Sequence, residues 1–207
     1  MAGKILPRNP ADLLHPSHET WHSEPTLELF FPNPHTAARG HGEKPMSTQN
    51  PYDVFLDGRP VETILASTPS ALAQALAAIG GDNLSAPPAP GKWSAAEILC
   101  HLADCELVFG FRLRQTVAED SPTIQPFDQE KWAAVYRGIE AGHALEVFAA
   151  LRGWNLRLLE AALPGAANRP TTHPERGAMT FMTIVETMAG HDLNHLAQLN
   201  RLAAQAV

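Results

Sequence analysis

From Val61 to the end of the chain, apolar residues recur at steps of three and four, the period of helices buried along one face. No segment alternates apolar and polar residues or carries a hairpin signal, so the pattern predicts no strand. "VETILAS" and "TPSALAQALAAIG" predict a first helix in two pieces, with Thr68 capping the second piece, Pro69 at its first position and Gly80-Gly81 as the stop. Ser94 and Glu97 have capping-box spacing and open a second helix, which runs through "ILCHLADCELVFGFRLRQTVA" until "EDSPTIQP" breaks it. A short helix near "DQEKWAAVY" precedes a third long one, "HALEVFAALRGWNLRLLEAAL", which Pro164-Gly165 ends. "NRPTTHPERGAM" reads as a loop, and the fourth long helix, "FMTIVETMAGHDLNHLAQLNRLAAQ", is capped by Thr180 or Thr183. The fold class expected is all-α: a four-helix bundle with a long crossover between the second and third long helices.

Residues 1–50 differ. They hold seven of the prolines and five of the ten histidines, with no period that lasts a full element, and are expected to form a largely disordered extension before a domain over 51–207. Within "HPSHETWH", Pro16 interrupts the run of His15, His18 and His22 and no apolar face surrounds it, so it predicts no metal site. Met46 opens "MSTQNPYDVFLDGRP", which reads as a natural start, so the extension is either a mis-called upstream start or a private addition.

A formal charge of −7 and the absence of any long Lys/Arg cluster argue against nucleic acid as a partner. No apolar run approaches the roughly 20 residues needed to cross a bilayer, so no membrane contact is expected and a cytoplasmic location is. Cys100 and Cys105, about 8 Å apart on a helix, are too distant for a disulfide and read as reduced core residues.

Candidate chemistry lies on two helical stripes. Ile184, Met188, His191, His195, Gln198, Leu199 and Leu202 share one face of the fourth long helix. Ile98, His101, Leu102, Cys105, Val108, Phe109 and Arg112 share one face of the second. Histidines four apart can converge on one ion. "HDLNH" has the spacing of the zincin motif, but "LAQLNRLAAQAV" beyond it offers no Asp, Glu or His, so further ligands come from upstream. His173 lies in the loop and His143 at the start of the third long helix, whereas His101 already lies in a buried stripe. Three imidazoles in a bundle interior would each cost on the order of 1 to 3 kcal/mol in desolvation, which one shared ion offsets. His101, His191 and His195 are therefore the predicted metal ligands.

"GKWSAAEILCHLADCELVFGFRLRQTVAEDSPTIQPFDQEKWA" and "HPERGAMTFMTIVETMAGHDLNHLAQLNRL" resemble the DinB/YfiT-like metalloenzyme family, over about residues 52–204. The resemblance implies a four-helix bundle with a three-histidine metal site at His101, His191 and His195. Its characterised members are mostly transferases and isomerases that use small thiols such as bacillithiol or mycothiol, and it implies no DNA binding.

Three neutral imidazoles leave a divalent ion with an open position, which suits catalysis. Zinc and nickel are the first candidates, since imidazole accepts several divalent metals. The leading expectation is an enzyme that adds or transfers a low-molecular-weight thiol onto a small electrophilic substrate. The alternatives are a metal-dependent hydrolase and a non-catalytic metal- or ligand-binding stress protein, and a homodimer is compatible with all three. Asp104, three residues after His101, is a candidate catalytic carboxylate. Cys105 could be a fourth ligand, although the reading as an apolar filler is favoured. Asp192 points away from His191 and is expected to make a structural pair. Trp154, Arg157 and Phe109 could line a pocket, but aromatic residues at helical spacing are expected in the core.

Overall fold

Both capping motifs read from the sequence are present in the computed structural model, which describes residues 50–206. The backbone N–H of Ser94 donates to Glu97 Oε2 at 2.8 Å while Ser94 Oγ accepts from the Glu97 N–H. Thr180 is the N-cap of the last helix and Thr183 the reciprocal partner, so both candidate residues take part in one box. The extension expected over residues 1–50, with His15, His18 and His22, lies outside the described residues apart from Asn50.

The helices are α1 (Val61–Ile79), α2 (Ala95–Ala118), the short α3 (Gln129–Ala133), α4 (Ala141–Ala166) and α5 (Phe181–Gln205). One-turn 3-10 segments lie at Asp53–Phe55 and Gly81–Asn83. The four long helices form the expected bundle, in which α1 packs chiefly on α5 and α2 on α4. The crossover from α2 to α4 holds α3.

Two local expectations are corrected. First, α1 is one helix with Pro69 inside it, not two pieces capped at Thr68. Proline removes the N–H that would bond the carbonyl four residues earlier, here Leu65. Nη1 of Arg152, on α4, donates to that carbonyl at 2.9 Å, so the helix survives the lost rung. Pro164 likewise falls inside the last turn of α4, where Glu160 is exposed and its freed carbonyl can be hydrated.

Second, the segment read as a loop forms an antiparallel hairpin, β1 (Pro170–His173) and β2 (Gly177–Thr180), with Pro170 opposite Thr180 and His173 opposite Gly177. Thr171 and His173 turn inward while Pro170 and Thr172 stay exposed. The crossover after α2 braces it, because Thr172 N–H donates to Pro122 O and Ile124 N–H to Thr172 O, both at 2.9 Å.

The core is divided along the bundle. One apolar cluster joins Leu72, Leu76, Leu99, Leu102, Phe148 and Leu199, and another joins Ile64, Leu65, Phe109, Leu113, Leu159 and Met188. Each long helix also contributes buried polar residues near the junction of the clusters: Thr68, His101 and Glu106, Arg152 and Asn155, then His191, Asp192 and His195. Burying so many polar groups at one level is unfavourable unless they satisfy one another or a ligand.

Candidate metal centre

In one half of the polar level the charges offset one another. Arg152 Nη2 donates to Glu106 Oε1 at 2.6 Å and Nη1 to Asp192 Oδ2 at 2.7 Å, while Asn155 Nδ2 donates to Glu106 Oε2 at 2.9 Å. Burial alone would lower the Arg152 pKa, but Asp192 and Glu106 override it and hold the guanidinium above its ordinary range. Asp192 thus has the structural pairing expected of it. The sequence reading missed Arg152 and Glu106 themselves. The signal for Arg152 was a charged residue within the stripe Ala144, Phe148, Arg152, Asn155 and Leu159, all of them buried.

The other half is the histidine cluster. His191 Nε2 lies 3.1 Å from His101 Nε2 and 3.1 Å from His195 Nε2, so the three side chains singled out from the sequence converge nitrogen to nitrogen. All three are buried. Burial holds them neutral: His101 is lowered to about 3, also by its neighbour His195, and His195 to about 4 despite Gln198, while His191 falls well below its ordinary value.

His195 Nδ1 donates to Gln198 Oε1 at 3.0 Å, which leaves its Nε2 as a lone pair. A proton on His191 Nε2 could then satisfy only one of the two nitrogens it faces, and His191 Nδ1 has no protein partner among the described residues. Nitrogens each about 2.1 Å from one zinc ion are roughly 3 to 3.5 Å apart, so the spacing of His191 to each of its two neighbours suits a shared divalent ion.

Cys105 is buried in the second apolar cluster, as expected of a core filler, and its sulfur also lies beside the imidazoles. Its Sγ lies 3.5 Å from His101 Nε2 and 3.9 Å from His191 Nε2, and His101, Cys105 and His191 form a compact group of donor atoms. Burial, then Glu106 and Asp104, push the uncoordinated thiol well above its usual range. Cys100 is a buried free thiol, as expected.

Aromatic rings frame the cluster. Trp93 packs 4.9 Å from His101 and Tyr52 meets His191 edge-on at 5.1 Å. Tyr52 approaches because residue 190 is glycine: a Cβ there would lie 2.5 Å from the Tyr52 carbonyl oxygen. An open cleft runs from His101, Cys105 and His191 toward Phe109, Arg112, His173 and Arg176.

The other sequence candidates lie apart or elsewhere. Asp104 accepts a hydrogen bond from Tyr136 Oη at 2.7 Å. His143 is exposed beside Glu146, and His173 faces the cleft from β1 without joining the nitrogen cluster. Phe109 lines the cleft, whereas Trp154 is 66% exposed under the Arg114 guanidinium and Arg157 pairs with Glu160 on the surface. Neither of the last two is in the core or the cleft. Among the described residues, no helix is long and apolar enough to cross a membrane.

A four-helix bundle with buried imidazoles at its centre is similar to known proteins. Residues 64–199 match the DinB superfamily, and the chain belongs to that family. A Geobacillus kaustophilus protein named "Putative metal-dependent hydrolase" is 31% identical over 169 residues, covering 76% of this chain and 92% of the relative. One of the same name from Oceanobacillus iheyensis is 29% identical over 113 residues, 54% of this chain and 66% of the relative. The solved structure of YfiT from Bacillus subtilis, described as "a probable metal-dependent hydrolase with an unusual four-helix bundle topology", is similar in fold. Its TM-score is 0.65 at 20% identity, covering 80% of this chain and 93% of that one.

Proposed function

We propose that this chain is a divalent-metal-dependent enzyme of hydrolytic type acting on a small molecule, with the ion on His101, His191 and His195 and Cys105 beside it. The observation that carries the reading is the buried, neutral Nε2 of His191, 3.1 Å from the Nε2 atoms of both His101 and His195, with His101, Cys105 and His191 at the wall of an open cleft. The hydrolytic assignment is supported by the names of the relatives. An ion held there supplies a Lewis acid and brings the ionisation of water toward neutral pH.

The chain's own residues do the rest. Gln198 fixes the His195 tautomer so that Nε2 faces the cluster. Arg152 holds Asp192, and with it the turn of α5 that bears His191. Tyr52 and Phe109 present rings to His191 and exclude water from one flank. Asp104 is a positioning residue in this scheme, since it holds Tyr136, whose ring meets the Trp93 that packs on His101.

Thiol transfer, the leading expectation from sequence, draws no support from the relatives' names, and one experiment separates the readings. Wild type and His191→Ala, each supplied with zinc or nickel, are assayed on ester, amide and phosphoester panels, and on electrophiles with small thiols. Metal-dependent hydrolysis lost in His191→Ala is the expected result. Turnover only with a thiol establishes transfer instead, and metal binding without turnover on any panel leaves a binding protein.

A further inference from the structure

Arg112 and Arg176 stand out against Arg152. All three are guanidiniums in or at the interior, but the fold surrounds Arg152 with two carboxylates. Among the described residues, neither Arg112 nor Arg176 has a carboxylate within ion-pair distance. Arg112 is 7% exposed, yet its one hydrogen bond runs from Nη2 to Gln125 O at 2.6 Å; its buried Nε has no partner among the described residues, as is true of Arg152 Nε, but Arg112 lacks the carboxylates that offset the charge of Arg152.

We infer that the substrate carries an anionic group, a carboxylate or a phosphate, which docks between Arg112 and Arg176 at the end of the cleft away from the imidazole cluster. The inference rests on the proposed function for the reaction at the other end, but the anion site is built from separate residues.

Three observations converge on it. Both arginines line the cleft that also exposes His101, Cys105 and His191. Arg112, His173, Arg176 and Thr187 also line a second, water-sized hollow, so these side chains meet at one place. His173 Nδ1 accepts the Glu175 backbone N–H at 3.2 Å, so in the neutral ring Nε2 carries the proton and adds a third donor to this wall.

The electrostatics agree. Burial, then the neighbouring Arg176, lower Arg112 to about 10, so it stays cationic at neutral pH at the cost of desolvation and mutual repulsion. Glu175 is exposed on the same hairpin, and its attraction is weaker than either the burial or the repulsion from Arg176. A chain of net charge −7 nonetheless keeps two close guanidiniums here, and an anion satisfies both. Arg112 lies seven residues beyond Cys105, about 10 Å along α2, and helical side chains lean back toward the N-terminus. The anionic group is therefore several bonds from the reacting centre.

The test is titration of the full chain with inorganic phosphate and with acetate, followed by NMR, in zinc-loaded and chelator-treated protein. At least one anion should bind both forms, and Arg112→Gln and Arg176→Gln should each weaken binding by about 10-fold or more, while exposed Arg157→Gln does not. Stronger phosphate binding identifies a phosphoryl substrate, and stronger acetate binding a carboxylate. Arg176 is only half-buried, so Arg176→Gln remains informative if Arg112→Gln fails to fold. No binding by wild type, unchanged affinity in Arg176→Gln, or binding only when zinc is present overturns the inference. Anion binding by a protein that takes up no metal leaves the inference standing and removes the proposed function instead. Metal uptake with silent arginine variants does the reverse.

Discussion

Nη1 of Arg152 lies 2.7 Å from Oδ2 of Asp192, the residue that follows His191. The pair is buried together with Glu106, so removing the one cation leaves two carboxylates uncompensated. Arg152→Met is expected to destabilise the protein by about 3 to 5 kcal/mol, read from urea denaturation. Loss of under about 1 kcal/mol would show that the network is hydrated and not closed.

Metal affinity should follow the nitrogen cluster. Ala at His101, His191 or His195 should each weaken binding by at least about 10 to 100-fold, and Gln198→Leu by about 10-fold through loss of the tautomer lock. His143→Ala and His173→Ala should bind as wild type does. Competition with a chromogenic chelator measures all six, and wild-type affinity in His101→Ala would remove α2 from the site.

Acid should unfold the metal-free protein early. The cluster histidines bind protons in the unfolded chain near their ordinary 6.5, but burial lowers His101 to about 3 and His195 to about 4 in the fold. Below 6.5 the unfolded state therefore holds more protons, so their stabilisation is complete above 6.5 and is lost as pH falls toward 4. Each such group adds up to about 1.4 kcal/mol per pH unit to the slope, so His195→Gln should flatten the fall in melting temperature between pH 7 and 5. Zinc should shift the acid transition of wild type downward, because the ion competes with protons for the same lone pairs.

Cys105 gives a spectroscopic prediction. With Sγ 3.5 Å from His101 Nε2, the thiol is placed to coordinate by losing its proton. Cobalt-loaded protein should show a sulfur-to-metal charge-transfer band before any external thiol is added, and Cys105→Ser should lack it. An unchanged spectrum in Cys105→Ser would return the side chain to the role of core filler.

The parts of this molecule legible in its sequence were those set by local pattern. Ser94, Glu97, Thr180 and Thr183 announced two helix starts because capping is a contact within one turn. His101, His191 and His195 were visible because imidazoles interrupt apolar stripes of regular spacing. The hairpin was not legible: each strand has four residues, too few for an alternation to register, and its bracing comes from Pro122 and Ile124 far along the chain. The Arg112 and Arg176 pairing also depends on the hairpin crossing α2, which no local rule encodes. Pro69 was misread because the rule for proline assumes that the orphaned carbonyl stays orphaned.

That carbonyl ties two helices to a common rotation. An ordinary helix keeps its peptide oxygens for itself, so a neighbour can slide or turn against it with little electrostatic penalty. At Leu65 the oxygen is released at a single height, and Arg152 reaches it with the same guanidinium that grips α2 and α5. The guanidinium thus touches all four long helices at one level, like a pin through stacked plates. Pro69→Ala would restore a competing N–H inside α1, so a substitution that improves the helix by its own propensity would loosen the registration of the whole bundle around His191.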